Sequence, residues 1–266
     1  MKSLYLLDAD IPVFKASIIA QQVNPFSGEV DDANIEMALD SLKEQLEPYL
    51  KLGKVILCFS EGKSFRYDIL ETYKHNRKNS EKPILLGEVR EHCLKNYRTL
   101  RFDGLEGDDV CGIFATKPEV KEKYDVTIVS DDKDLKTVPC KLIRLNNPVE
   151  EITPQQAHYY HMYQTLVGDP TDGYSGCPQW GDKKVTKLLT QPLRLRDNET
   201  LWGRVCDTFY SKGLTKNDAL TQARLAKILT WDLWDSSNKK PKMWEYQNNG
   251  HIPTIHSSEP LRKVDT

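Results

Sequence analysis

At 266 residues the chain is long enough for one large domain, or for a main domain with a smaller second one. An apolar fraction of 39% can fill a real core, and the 29% of charged residues is ordinary for a soluble protein and excludes a membrane-embedded one. A net charge of −2 would argue against a nucleic-acid binder if it were spread evenly, but acids crowd at 106–109, 131–134 and 169–172 while bases gather at 74–82 and 183–187.

In chain order, Leu4–Leu7 reads as a short apolar strand, and Asp8 cuts it far too early for a signal peptide. Asn34–Leu50 carries helical spacing, Lys54–Phe59 reads as a strand, and Gly87–Lys95 is helical again. Val126–Val129 and Lys141–Leu145 complete a strand–helix alternation that predicts an α/β fold with a mostly parallel sheet covered by helices. From Thr153 the pattern turns helical. Thr153-Pro-Gln-Gln156 combines an N-cap, a proline at the first helical position and a capping-box glutamine. Tyr159, Tyr160, Tyr163, Leu166 and Val167 are the expected buried face of that helix. Further helices are expected over Asp182–Pro192, from Asn198 to about Gly213 with Leu201, Trp202, Val205 and Phe209 inward, and over Thr215–Trp234. From Ser236 the periodicity fades into a polar tail, expected to lie extended on the surface or to be partly disordered. The domain reading is therefore 1–152, 153–235 and a tail at 236–266. No stretch approaches the ~20 apolar residues of a membrane span. The six cysteines form no C-x-x-C pair and read as free thiols in a reducing cytoplasm.

The informative pattern is where the acids fall. Asp8, Glu61 and the group Asp131, Asp132 and Asp134 each follow a predicted strand, and the carboxyl ends of parallel strands share one edge where ligands bind. Leu105-Glu-Gly-Asp-Asp-Val110 opens a helix, with Glu106 and Asp109 on one face and Asp108 one step around. Two carboxylates ~5 Å apart repel by about 3 kcal/mol at an effective dielectric of 20, so the cluster must take up protons or cations. Any one of these acids alone is as well a helix cap or a solvated charge; the argument rests on Asp8, Asp108 and Asp132 together. Oxygen ligands without His or Cys suit two Mg²⁺ or Mn²⁺ ions, the usual means of splitting a phosphodiester. Val167-Gly-Asp-Pro-Thr-Asp-Gly173 adds Asp169 and Asp172 in a glycine-rich turn. After it, Gly176 and Gly181 allow close backbone approach, and a helix from Asp182 with Lys183, Lys184 and Lys187 makes a phosphate grip that reads no base sequence.

These strings, with Tyr73-Lys-His-Asn-Arg77 and Asp132-Lys-Asp-Leu135, occur in the order that resembles the 5′-nuclease superfamily: flap endonucleases, the 5′-nuclease domain of bacterial DNA polymerase I, and phage 5′→3′ exonucleases. Asp172-Gly-Tyr-Ser-Gly176 and Trp180-Gly-Asp182 look most like the gene-six-type exonucleases of short-tailed coliphages. The resemblance implies a PIN-like catalytic domain with a short helical arch at about 74–97, followed by a helix–three-turn–helix module. It implies that Asp8, Glu106, Asp108, Asp109, Asp132 and Asp134 hold metals, with Asp169 and Asp172 completing the second site. It further implies that Lys74 meets the scissile phosphate beside Arg77 and that Tyr73 stacks on a base. Two positions depart from the pattern. The family's Asp after the second strand is replaced in Phe59-Ser-Glu61, so that either Glu61 substitutes or that outer ligand is absent, and Gln179 replaces the middle glycine of the hairpin, where relatives bind K⁺. The expected activity is metal-dependent 5′→3′ exonuclease or flap cleavage of duplex, nicked or flapped DNA, extending to RNA–DNA hybrids. The expected setting is phage replication, among phage replication proteins in the host cytoplasm. Two other classes compete. A PIN-type endoribonuclease lacks the glycine hairpin at 168–187, and an inert DNA binder gains nothing from a negative patch facing phosphates.

Overall fold

The computed structural model describes residues 1–23, 30–77, 81–144, 147–193 and 200–246. The apolar run at the N-terminus forms β1 (Lys2–Asp8), which turns at once into α1 (Asp10–Ile19). A small hairpin, β2 (Gln21–Val23) and β3 (Val30–Ala33), leads to α2 (Ile35–Leu52), where the Asn34 side chain accepts the Met37 N–H at 3.1 Å as an N-cap. Then come β4 (Lys54–Glu61), the single turn α3 (Arg66–Ile69), α4 (Leu86–Asn96), β5 (Thr99–Asp103), α5 (Gly107–Thr116) and α6 (Pro118–Lys121). β6 (Tyr124–Val129), β7 (Lys141–Ile143) and β8 (Glu150–Glu151) complete a sheet of order β5-β4-β1-β6-β7-β8. Every pairing in it is parallel except β7 with β8.

Burial explains the layering. Leu7, Val13, Leu42, Phe59, Val89 and Cys93 bring α1, α2 and α4 onto one face. Leu6, Val110, Ile113 and Ile128 seat α5 on the other. Each such aliphatic side chain contributes about 1.5–3 kcal/mol when fully buried. The register aligns the carboxyl ends of β1 and β4, Asp8 lying opposite Cys58. All six cysteines are free thiols, as expected.

The helical part follows as α7 (Pro154–Val167), α8 (Asp182–Leu189), α9 (Leu201–Tyr210) and α10 (Lys216–Ala226). The Thr153 capping box forms as read, with Gln156 N–H to Thr153 Oγ1 at 3.2 Å and Thr153 N–H to Gln156 Oε1 at 2.8 Å. α7 is buried more broadly than expected. Ala157, Tyr160, His161, Met162, Gln164 and Leu166 are inside, while Tyr159, Tyr163 and Val167 are only half-buried, because the helix is packed by both α8–α10 and the 3₁₀ turn Lys133–Thr137.

Three expectations need correction. α1 and β5 lay outside the pattern read from the sequence. Of the segment 74–97 expected as an arch, Leu85, Val89 and Cys93 pack into the sheet's core, and residues 78–80 lie outside the described ones. The helix expected over 215–234 stops at Ala226, and 227–230 continues as an extended strap whose Ile228 and Leu229 join the core of the sheet. β9 (Trp234–Asp235) and β10 (Lys240–Pro241) then form a small hairpin, and Trp244 packs at right angles to His161, so the first part of the supposed tail is ordered structure. Residues 247–266 and Leu145 lie outside the described residues.

Candidate active site

The ends of β1 and β6 and the start of α5 deliver acids to one rim. Asp8 is buried and accepts from Ser130 Oγ at 3.0 Å. Glu106 is the N-cap of α5, and a ligand oxygen from each of Glu106, Asp108 and Asp109 falls within 4.8 Å of the others. Asp132 caps the Lys133–Thr137 turn by accepting the Asp134 N–H at 2.8 Å. Gly107 makes room at the centre: a Cβ there would come within 2.9 Å of Asp8 Oδ1, 3.1 Å of Cys58 O and 3.2 Å of Asp10 Oδ2.

The crowding shows in the acidities. Burial, reinforced by Asp10 and Asp132, pushes Asp8 up to about 7. Burial beside Asp109 and Glu106 raises Asp108 well above the carboxylate range. Burial and the neighbouring Asp132 also raise Asp134. Burial would raise Glu106 too, but Arg66 and Lys74 outweigh it and hold the group down at about 2. Part of the charge is thus met by the protein's own cations. Lys74 pairs with Glu106, and Lys133 bridges Asp134 and Asp169. Among the described residues Asp8, Asp108 and Asp132 form no salt bridge.

The turn carrying Asp169 and Asp172 docks against this rim. Asp169 and Tyr174 exchange backbone hydrogen bonds of 2.8 and 3.1 Å, and Asp169 Oδ1 accepts the Thr171 N–H at 2.7 Å. Lys74 N–H donates to Asp172 O at 2.8 Å, and Arg77 reaches Asp172 Oδ1 at 2.7 Å. Gly168 and Gly176 press backbone to backbone, so a Cβ on either would meet the other strand of the turn at 2.4 Å. Gln179 keeps a left-handed backbone (φ 66°), a conformation that glycine holds without strain. Gly181 is the N-cap of α8, and Lys183, Lys184 and Lys187 are exposed along that helix.

Three assignments change. Tyr73 is 1% exposed, with its hydroxyl 3.0 Å from Glu106 Oε2 and 2.9 Å from Asp172 Oδ2; a ring so buried presents no face to a base. Glu61 turns outward, its Oε2 held by Arg90 at 2.8 Å and Arg101 at 3.0 Å, so it does not replace the family's strand-end Asp. Asp109 has no exposure. Both its oxygens are taken by Arg66, at 2.6 and 2.9 Å, and it also accepts the Leu229 N–H at 3.0 Å, which makes it a support rather than an open ligand.

Sequence reasoning missed Arg66, Asp10, Lys133 and Gln164. Arg66 is 1% exposed and ties Glu106 and Asp109 to the carbonyls of Leu225 and Lys227. Asp10 stands beside Asp8 and accepts the Ser60 N–H at 2.9 Å; it was visible as the second acid of Leu6-Leu-Asp-Ala-Asp10. Lys133 was likewise in view between Asp132 and Asp134, whereas nothing in the sequence marks Gln164, which donates to Asp134.

Comparison with known proteins gives the family and the fold. Residues 3–163 match the family model of the 5′→3′ exonuclease N-terminal, resolvase-like domain. The exodeoxyribonuclease of Enterobacteria phage T3 and the exonuclease of Escherichia phage T7 are each 27% identical to the chain, across 91% of it and 93% of theirs. The thermostable DNA polymerase I of Thermus caldophilus is 31% identical over 70% of the chain and 24% of the polymerase. Among solved structures, the T5 D15 protein co-crystallised with metal ions superposes with a TM-score of 0.60 at 16% identity, covering 85% of this chain and 90% of that one. The T5 5′-exonuclease with bound zinc gives 0.58 at 18% identity, covering 85% and 89%. These two likenesses show a shared fold.

Proposed function

We propose, on the premise that this chain belongs to the 5′→3′ exonuclease family, that it hydrolyses phosphodiester bonds near DNA 5′ ends with two divalent ions on the acidic rim. The observation that carries this reading is that Asp8, Asp108 and Asp132, acids from separate elements, have no salt bridge among the described residues, while Asp132 crowds Asp8, and Asp109 and Glu106 crowd Asp108. The donor set fits the ions: only oxygens converge, with no His or Cys among them, which suits Mg²⁺ or Mn²⁺. Asp8, Glu106, Asp108 and Asp132 would hold one ion, and Asp134, Asp169 and Asp172 the other. When bound, such a pair activates water and stabilises the leaving oxygen.

The chain's own residues supply the rest. Arg66 and Asp109 hold Glu106 in place from behind. Lys74 stands at the rim, paired with Glu106, and can leave it for the scissile phosphate as negative charge builds there. The α8 N-terminus with Lys183, Lys184 and Lys187 grips the duplex backbone without reading bases. The products would carry 5′-phosphates. Full-length similarity to phage T3 and T7 nucleases supports a role in phage replication, primer removal and genome turnover, with host cytoplasm as the setting and replication proteins as partners.

The test uses blunt, nicked and flapped duplexes labelled at the 5′ or 3′ end, with and without Mg²⁺. Wild type should release label from the 5′ side only when metal is present. Asp108→Ala and Asp132→Ala should cleave at less than about a hundredth of the wild-type rate, because a lost metal site costs several kcal/mol of transition-state stabilisation. Metal-free Asp108→Ala should melt no lower than wild type at neutral pH, since the fold no longer has to hold a crowded carboxyl protonated above its usual range. Cleavage by either variant above that level would remove the two-metal assignment.

A further inference from the structure

Gln179 stands where the resemblance expects the middle glycine of the hairpin, the stretch in which relatives hold K⁺. Its backbone keeps the left-handed shape, φ 66°, so the turn itself survives the substitution. What differs is what its oxygens meet. Gln179 O accepts Lys184 Nζ at 3.1 Å, and Gln179 Oε1 accepts Lys212 Nζ at 2.8 Å. The neighbouring carbonyls are taken as well. Cys177 O accepts the Trp180 N–H at 3.1 Å, and Gly181 O accepts those of Lys184 and Val185 at 3.0 and 3.1 Å. A dehydrated K⁺ is held by carbonyl oxygens that replace its water shell. Here the carbonyls face the chain's own donors, and two ammoniums on Gln179 would repel a further cation. The donor set does not fit a bound monovalent ion.

Both ammoniums come from fixed elements. Lys184 lies in α8, and Lys212 belongs to the turn that ends α9, where its N–H donates to Phe209 O at 3.0 Å and Gly213 closes the turn at a left-handed φ of 73°. The hairpin is fastened to the same framework, with Cys177 N–H on Leu166 O and Gly176 N–H on Gln222 Oε1, both at 2.8 Å. Both lysines are exposed, and among the described residues neither has a carboxylate partner, so their charge stays uncancelled. An ammonium carries three donors, which leaves each lysine two beyond Gln179 for a phosphate. We propose that the hairpin takes its positive charge from Lys184 and Lys212, joined through Gln179, in place of a bound K⁺. It would then grip the DNA backbone regardless of which monovalent cation is in solution. The DNA part of this rests on the nuclease reading above; the cation part does not.

The experiment measures binding of a fluorescein-labelled duplex to the full chain without divalent metal, at one ionic strength set by K⁺, Na⁺ or tetramethylammonium chloride. Melting of the protein alone is followed in the same salts. Wild-type affinity should agree among the three within about twofold, and melting within about 1 °C, since a specifically held ion would add stability by mass action. Lys212→Ala, an exposed substitution that should melt as wild type does, should bind about fivefold more weakly in all three salts and lower the slope of log K against log salt by about 0.9. Lys212→Arg should keep both affinity and slope, because the charge stays. Tightening of wild type by K⁺ over tetramethylammonium of more than about fivefold, or a K⁺-specific rise in melting, would overturn the proposal, because the hairpin would then hold an ion. So would a Lys212→Ala protein equal to wild type in affinity and slope. A wild type that binds duplex in none of the salts would instead bring down the nuclease reading, with the melting comparison still deciding the cation.

Discussion

Lys74 sits in the left-handed region of backbone space, φ 50°, where a non-glycine residue carries of order 1 kcal/mol of strain. The surroundings enforce it: its N–H is bonded to Asp172 O, and its ammonium pairs with Glu106. On the proposed function, a cation held beside the rim would serve rate more than ground-state affinity. Lys74→Ala should therefore lower single-turnover cleavage by roughly two to three orders of magnitude, about 3–4 kcal/mol. Duplex affinity should move less than tenfold, and Lys74→Arg should recover only part of the rate, because a planar guanidinium places its charge differently. A loss confined to affinity would reduce Lys74 to a solvated base. Gly107 tests the rim from the other side. Alanine there gains up to about 1 kcal/mol of helix propensity, against a steric cost of about 1–3 kcal/mol from atoms near 3 Å. Melting should thus change little while cleavage falls more than tenfold, as Asp8 and Asp10 are pushed apart. Normal cleavage by Gly107→Ala would show that the exact placing of those two carboxylates is immaterial.

Among the elements, α8 separates grip from chemistry. Replacing Lys183, Lys184 and Lys187 with Ala should weaken binding equally for all sequences, each lost phosphate contact lowering the slope of log K against log salt by about 0.9 on duplex. Saturating enzyme should restore most single-turnover cleavage; normal binding with failed chemistry would remove α8 as the grip. The same helix shows what could be read in advance. Its N-cap glycine and lysine spacing are local signals, as are the Thr153 capping box and the strand-end position of Asp8. Other features depend on distant partners. The apolar residues after Ala226 continue at helix-like spacing, yet the backbone there leaves the helix to meet Arg66 and Asp109, 161 and 120 positions away in sequence. The burial of Tyr73 is of this kind too, since it depends on Glu106 and Asp172 closing over its hydroxyl. β5 was hidden for a different reason: five residues with an arginine in the middle give too short an alternation.

At the scale of the molecule, the acidic rim and the helical module are joined through one buried guanidinium. Arg66 gives two hydrogen bonds to Asp109, one to Glu106 at 2.9 Å, and one each to Leu225 O at 3.1 Å and Lys227 O at 2.9 Å. The strap is fastened a second time where Lys227 Nζ meets Thr137 O at 2.7 Å, behind the turn that bears Asp132 and Asp134. The two groups of rim acids are therefore backed by the same few residues of the helical part. Arg66→Ala would leave Asp109 buried and uncompensated, a loss of about 3–5 kcal/mol where whole-domain stability is about 5–15 kcal/mol. At about 2–4 °C per kcal/mol for a chain of this size, melting should fall by roughly 10 °C. Arg66→Ala with Asp109→Leu should recover part of that, because no charge is then stranded. Calorimetry of the single variant should still give one transition, since Leu225 and Ala226 of α10 pack with Tyr73 while Ile228 and Leu229 just after them enter the core of the sheet. Two separated transitions, with the sheet melting as in wild type, would show that Arg66 braces only its immediate neighbours.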